Sequence, residues 1–210
     1  MRNLAKAQRT TKQILEDANR MLSTVGFGYK VLAYGSPKNK MSGLMNLVVF
    51  GRAVTNVLQN LRSTEPSFDE WYKKYVEEMK NSPELKYFYD LRSVILKEGR
   101  LKVGTSAYIN HLNVPNDLAR LPKPPPFLKI KSFFIGDSLG GTGYEVLLSD
   151  GSTEKYYIEL PQDIGKVDLI FSDVPSLKNI SVVTLSRQYL EYLTKMVKDV
   201  NATFGEKEAK

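Results

Sequence analysis

Histidine and cysteine, the residue types that most often carry proton-transfer and thiol chemistry, are almost missing from this chain. Its 210 residues include no cysteine and one histidine, His111. Disulfides, thiol redox sites and cysteine-based zinc sites are therefore excluded, and a serine–histidine–aspartate triad would have to use His111. That residue lies in a predicted loop with no acidic neighbour, which favours a surface hydrogen-bonding role over catalysis. We expect no metal site and no cofactor.

Basic residues are the second group with chemical potential, and they are concentrated near the N-terminus. The chain has a net charge of +7, whereas residues 1–62 carry ten Lys or Arg against two acids. Such asymmetry indicates contact with nucleic acid or another anionic surface, or alternatively a solubilising helix face. The candidate nucleic-acid-binding residues are Arg2, Lys6, Arg9, Arg20, Arg52 and Arg62.

Helical periodicity predicts the elements that would position these residues. Apolar residues recur at helical spacing over residues 3–25, 43–62 and 179–202. Gly26 and Gly28 are expected to stop the first helix, followed by a loop to residue 42. The second helix carries Gly51 in its middle, which predicts a close crossing with another helix.

Two further helices are predicted from their capping residues. Ser67-Phe68-Asp69-Glu70 fits a capping box at the start of one helix. The next begins with Ser82 as N-cap and Pro83 at its first position, and it ends at Gly99. Apolar residues nearly encircle this helix, so we expect it at the centre of a bundle.

Beyond the proline-rich stretch at residues 121–126, the apolar period changes to two. Residues 127–135, 144–148 and 155–160 predict three strands of an antiparallel meander. Residues 161–178 are predicted to be a loop.

The predicted fold class is α+β, mainly α: about five bundled helices with a small three-stranded antiparallel meander before the C-terminal helix. We expect one domain over residues 1–210. Its parts are a helical bundle (1–100 and 179–204), an inserted β-meander (127–160), a proline-rich connector (121–126) and a frayed tail (205–210).

The fourth helix carries a family resemblance. Its sequence, Phe88-Tyr89-Asp90-Leu91-Arg92-Ser93-Val94-Ile95-Leu96-Lys97-Glu98-Gly99, resembles the late-helix motif of HEPN-type helical bundles. Active members of that superfamily are metal-independent ribonucleases that often dimerise. Arg92 matches the motif arginine, while Lys97 or Glu98 stands where the histidine belongs. Because lysine, with a pKa near 10.4, is a poor base at neutral pH, the resemblance implies a member without catalysis. Arg92 could equally form a hydrogen bond or ion pair within the bundle.

Three functions follow as alternatives. We favour a non-enzymatic module that contacts RNA or DNA through its N-terminal basic face. The second is a self-associating interaction protein, such as a homodimer. The third is a ribonuclease of HEPN type that uses Arg92, together with Lys97 or with His111 brought in from its loop.

Localisation follows from the absence of targeting signals. The longest apolar run, Leu47-Val48-Val49-Phe50, is far shorter than the roughly 20 residues of a membrane span. No secretory signal is visible at the start of the sequence. We expect a cytoplasmic protein with no membrane partner.

Overall fold

A computed structural model describes residues 9–177 and 179–205. Its fold is α+β, mainly α, with a three-stranded antiparallel sheet before the C-terminal helix, as predicted. The α-helices are α1 (Thr11–Tyr34), α2 (Pro37–Leu58), α3 (Phe68–Asn81), α4 (Pro83–Glu98), α5 (Asn116–Arg120) and α6 (Val182–Phe204); a 3-10 helix spans Gln59–Ser63. The strands are β1 (Val103–Ile109), β2 (Lys129–Ile135), β3 (Thr142–Leu147), β4 (Thr153–Ile158) and β5 (Gly165–Phe171).

Contacts between residues divide the chain into two compact units. Of the described residues, the first contains 9–30, 42–101 and 186–205, and the second contains 31–41, 102–177 and 179–185. The first unit holds α3, α4 and most of α1, α2 and α6, close to the residues predicted to form the bundle. The second holds all five strands. Folding as one domain stays a prediction, and residues 206–210 of the predicted tail lie outside the described part.

The first helix is longer than its glycines suggest. Gly26 and Gly28 do not stop α1, which continues to Tyr34, and the predicted loop is reduced to the short turn before Pro37. The reason lies in packing rather than propensity. A Cβ at Gly28 would lie 2.8 Å from the backbone oxygen of Gly43. The missing side chain therefore lets the backbones of α1 and α2 approach closely.

A second contact joins α2 to α6 at Gly51, where the neighbour is a side chain; the close helix crossing expected from the sequence stays a prediction. A Cβ at Gly51 would lie 2.5 Å from Cε1 of Tyr189, whose buried ring occupies that space. The same ring stacks on Phe88 of α4, with centroids 4.5 Å apart and planes 5° apart. Tyr189 thus packs against two helices at once.

The helix ends agree with the sequence at α4 but not at α3. The Ser82 side chain accepts a hydrogen bond from the Leu85 amide, and Gly99 has the left-handed conformation typical of a residue after a helix. The capping box predicted at Ser67 is wrong, because its side chain makes no capping bond. Helix α4 is also not central: Leu96 is 54% exposed, so α4 buries one face only.

The second unit contains two antiparallel sheets. Strands β2, β3 and β4 form the predicted meander, in that order. The predicted loop at 161–178 is wrong in part, because β5 occupies residues 165–171 and pairs with β1. Those two strands lie more than 50 residues apart in sequence, so the spacing along the chain gave no sign of their pairing. Residues 121–126 form neither helix nor strand, as expected of a proline-rich segment.

A single carboxylate stabilises the connection between β2 and β3. Asp137, whose side chain is 6% exposed, accepts hydrogen bonds from the amides of Leu139 and Gly141 at 3.0 and 2.9 Å. Lys155 and Tyr157 of β4 also donate to it, each at 2.8 Å. Burial would raise the pKa of Asp137, but these hydrogen bonds hold it below its ordinary value of 3.8.

One helical stretch, Pro37–Ser63, is long and apolar enough to cross a membrane by length and composition alone. Within its apolar window, 44% is buried inside the protein. The core helix of a soluble protein meets the same criteria, so the stretch is weak evidence for a membrane span. The expectation of no membrane partner stays a prediction.

The contact between Gly51 and Tyr189 predicts opposite effects on stability for two glycine substitutions within helices. Gly51→Ala should lower the free energy of unfolding by about 1 to 2 kcal/mol, because the new methyl group displaces the buried Tyr189 ring. Gly26→Ala should raise it by about 0.5 to 1 kcal/mol, because nothing lies within 4 Å of its Cβ position and alanine favours helix. Urea denaturation of both variants measures the difference. Equal effects would contradict this account of the contact.

The Asp137 cluster predicts a stability that depends on pH. Because folding lowers this pKa, the ionised group contributes stability that is complete above 3.8 and is lost as the pH falls through the lower folded value. Asp137→Asn should cost about 1 to 2 kcal/mol at pH 7 and weaken that acid dependence. Hydrogen exchange of the Leu139 and Gly141 amides, with urea denaturation, reads both effects.

Asp150→Asn is the matched control for Asp137. Asp150 is exposed and accepts hydrogen bonds only within its own turn, from Ser152. If Asp150→Asn lowers the free energy of unfolding as much as Asp137→Asn does, the hydrogen bonds of the Asp137 cluster contribute no extra stability.

Candidate functional site

A basic cleft lies within the first unit. Its volume is about 530 Å³, and α2, the 3-10 helix, α3 and α4 supply its walls. Four cationic side chains and one carboxylate line it: Arg52, Arg62, Lys80, Lys86 and Asp90. Two tyrosines, Tyr72 and Tyr89, and the apolar side chains of Val76 and Met79 also line it. The lining therefore carries three more positive than negative charges.

Helical spacing explains why these side chains converge. Arg52, Gln59 and Arg62 lie seven and then three residues apart, so α2 and the 3-10 helix present them on one side. Positions 72, 76, 79 and 80 form one face of α3, and positions 86, 89 and 90 form one face of α4. Each helix contributes a local stripe, and the cleft exists because the three stripes face one another.

The buried contacts of Tyr189 position the two walls of the cleft that are formed by α2 and α4. Arg52 directly follows Gly51, which Tyr189 contacts, and Tyr89 directly follows Phe88, on which Tyr189 stacks. Fixing these two buried residues therefore places their neighbours, Arg52 and Tyr89, beside the cleft.

Arg52 and Tyr89 contact each other. The guanidinium carbon of Arg52 lies 4.6 Å from the centroid of the Tyr89 ring, within the range of a cation–π interaction. Nη1 of Arg52 also donates a hydrogen bond to Oγ1 of Thr55, which is buried. Arg52 is half-buried, whereas Tyr89 is 49% exposed. The pair places an aromatic ring and a guanidinium side by side at a partly exposed position.

Arg62 is positioned from two sides. Its Nε donates to Oδ1 of Asp69 at 2.7 Å, and its Nη1 donates to Oε1 of Gln59 at 3.1 Å. Both Arg62 and Asp69 are exposed, so this pair contributes little to stability and orients the guanidinium. Lys80 and Lys86 are exposed and form no ion pair with any residue that the structure describes.

Tyr72 contributes a neutral hydroxyl. Burial raises the pKa of Tyr72, while the charge of Arg52 and hydrogen bonds with Arg52 and Thr55 lower it. The first effect prevails, so Tyr72 stays protonated at neutral pH. Its phenol is therefore a neutral hydrogen-bonding group of the lining.

The structure separates the predicted basic residues into groups. Arg52 and Arg62 line the cleft. Arg9 and Arg20 instead both form ion pairs with Asp17, the former at 3.2 Å. The last two candidates, Arg2 and Lys6, lie outside the described residues.

Sequence reasoning missed Lys80, Lys86 and the two tyrosines of the cleft. The two lysines belong to residues 63–126, where nine acids nearly balance ten basic residues. The excess of positive charge in the cleft arises only because α3 and α4 face α2, which brings Lys80 and Lys86 near the two arginines. Of the lining residues, the sequence had indicated only the basic residues Arg52 and Arg62.

Arg92 and Lys97 of the α4 motif do not line the cleft, although Tyr89 and Asp90 of the same stretch do. Arg92 is half-buried, and its Nε is enclosed without a hydrogen-bond partner among the described residues. The bond within the bundle that the sequence suggested is therefore not formed by that atom. Lys97 is exposed. His111 is exposed and belongs to the second unit, where its amide donates to the Ile164 oxygen at 3.4 Å.

The second unit has a larger groove with less charge. Its volume is about 1080 Å³, and its charged lining consists of Lys40, Lys166 and Glu159. Lys166 is already paired with Asp168 at 2.9 Å. Among the residues that the structure describes, no group of three or more His, Asp or Glu could hold a metal ion. The cleft of the first unit is therefore the candidate functional site.

Comparison with known families gives a match to a phage family. The family model described as Bacteriophage lambda protein ea47 matches residues 13–113, just under half of the chain. That stretch contains every residue of the cleft lining. The chain is thus similar to this phage family from α1 to just beyond β1. Comparison with curated proteins and with solved structures gave no match.

The environment of Tyr72 predicts a response to the loss of Arg52. Arg52→Gln removes the positive charge that favours the phenolate, so the pKa of Tyr72 should rise further. A carbon-13 NMR titration of ring-labelled tyrosine measures the change. Arg9→Gln removes an arginine that pairs elsewhere, and it should leave this pKa unchanged. An unchanged or lower pKa in Arg52→Gln would contradict the proximity of the two groups.

Proposed function

We propose that this chain is a non-enzymatic helical-bundle protein that binds RNA or DNA through the basic cleft. The observation that supports the proposal is the convergence of Arg52, Arg62, Lys80 and Lys86 in one concave site with a single carboxylate. Phosphodiesters carry one negative charge per nucleotide, and lysine and arginine are the side chains that most often contact them.

The two lysines supply the charges best placed for a phosphate. Both are exposed, and neither is neutralised by an ion pair within the described residues. Binding them to phosphate therefore breaks no existing ion pair. Arg62 can add a contact while Asp69 and Gln59 keep its guanidinium oriented.

The cleft revises the basic face expected from sequence. Arg9 and Arg20 both form ion pairs with Asp17, so the carboxylate of Asp17 balances part of their positive charge. Lys80 and Lys86 take their place beside Arg52 and Arg62. Arg2 and Lys6 remain candidates from the sequence.

The test is the salt dependence of nucleic-acid affinity. Fluorescence anisotropy with a labelled single strand should show affinity that falls steeply as salt rises. The double variant Lys80→Gln, Lys86→Gln should weaken binding at least tenfold at low salt. It should also reduce the slope of log affinity against log salt by about 1.4, since each lysine releases about 0.7 counterion from a single strand.

The matched control removes the same charge from another surface. Lys195→Gln, Lys198→Gln changes two exposed lysines of α6 that do not line the cleft. This variant should bind nearly as the wild type does. No binding at low salt, or an equal loss in the control, would contradict the proposal. RNA recovered from the mixture should be intact, and cleavage would contradict the non-enzymatic part.

A further inference from the structure

We infer that the cleft binds single-stranded nucleic acid, with one base lying against the Arg52–Tyr89 pair and its phosphates on Arg62, Lys80 and Lys86. This inference rests on the proposed function and adds the strandedness and the mode of contact. It depends on the shape of the cleft, the exposed surface of the pair and the division of the lining into apolar and charged parts.

The shape of the site favours a single strand. A duplex is a convex rod whose base edges are reached by an element that protrudes into a groove. The cleft is instead concave, with a volume of about 530 Å³, comparable to a small-molecule site. A base that is free to leave its stack can enter such a space, whereas a paired base cannot.

The Arg52–Tyr89 pair is suited to a base. Bases stack on aromatic rings and on guanidinium planes, and here the two lie together, 4.6 Å apart. Half of the Tyr89 side chain is exposed before anything binds. Arg52 is already held by Thr55, so little further ordering is required.

The rest of the cleft lining has an apolar part and a cationic part. Val76 and Met79 offer apolar surface for the faces and edges of a base. Arg62, Lys80 and Lys86 provide the cationic part, suited to the phosphates on either side. None of these contacts distinguishes one base from another, so we expect weak sequence preference and similar binding of RNA and DNA.

The experiment combines a change in the protein with a change in the ligand. Fluorescence anisotropy compares a ten-nucleotide thymidine strand, an abasic strand with the same phosphates, a uridine RNA strand and a duplex of equal length. The protein is wild type, Tyr89→Leu or Tyr89→Phe. Because Tyr89 is half exposed, both variants should fold, and thermal unfolding by circular dichroism checks this.

The expected result is a coupling between ring and base. Tyr89→Leu should weaken binding of the thymidine and uridine strands about tenfold and leave the abasic strand unchanged. Tyr89→Phe should bind as the wild type does, since it keeps the ring. The wild type should bind the duplex and the abasic strand more weakly than the thymidine strand.

Other outcomes separate this inference from the proposed function. If the abasic strand or the duplex binds as tightly as the thymidine strand, the inference is overturned and charge-driven binding stands. If Tyr89→Leu weakens the abasic strand equally, the ring acts on the cleft rather than on a base, and the inference is again overturned. If no ligand binds at low salt, both fail.

Discussion

The ring of Tyr189 is the contact on which the helical unit depends. It fills the space that a side chain at Gly51 would need, and it stacks on Phe88. Three helices, α2, α4 and α6, therefore meet at one buried residue. Packing of this kind permits little adjustment, because a protein interior has almost no free volume. This packing also positions two residues of the cleft, because Arg52 directly follows Gly51 and Tyr89 directly follows Phe88.

The cleft combines rigid and free charges. Arg52 and Arg62 are held by neighbours, Thr55 and Tyr89 for the first and Asp69 and Gln59 for the second. Lys80 and Lys86 extend into solvent. A site of this kind has fixed groups that define a geometry and mobile cations that adapt to a flexible chain of phosphates. The hydroxyl of Tyr72, whose pKa burial raises, adds a neutral hydrogen-bonding group at the same place.

The sheet-bearing unit follows a different principle. A buried carboxylate there organises the β2–β3 connection in addition to the apolar packing of the unit, because Asp137 accepts hydrogen bonds from two backbone amides, a lysine and a tyrosine. Each donor compensates part of the cost of burying a charge. The satisfied polar cluster gives this connection one defined conformation.

Local patterns in the sequence determined the fold class, the meander and the caps of α4, because each depends on residues near one another in the chain. The candidates Arg52 and Arg62 also gave two of the four cationic side chains of the cleft. Tertiary structure decided the rest. Gly28 lies within a helix because α2 packs closely against it. Strand β1 pairs with β5, which follows it by more than 50 residues. Lys80 and Lys86 lie near Arg52 and Arg62 only because α3 and α4 pack beside α2. These features depend on contacts between distant segments, which no local periodicity specifies.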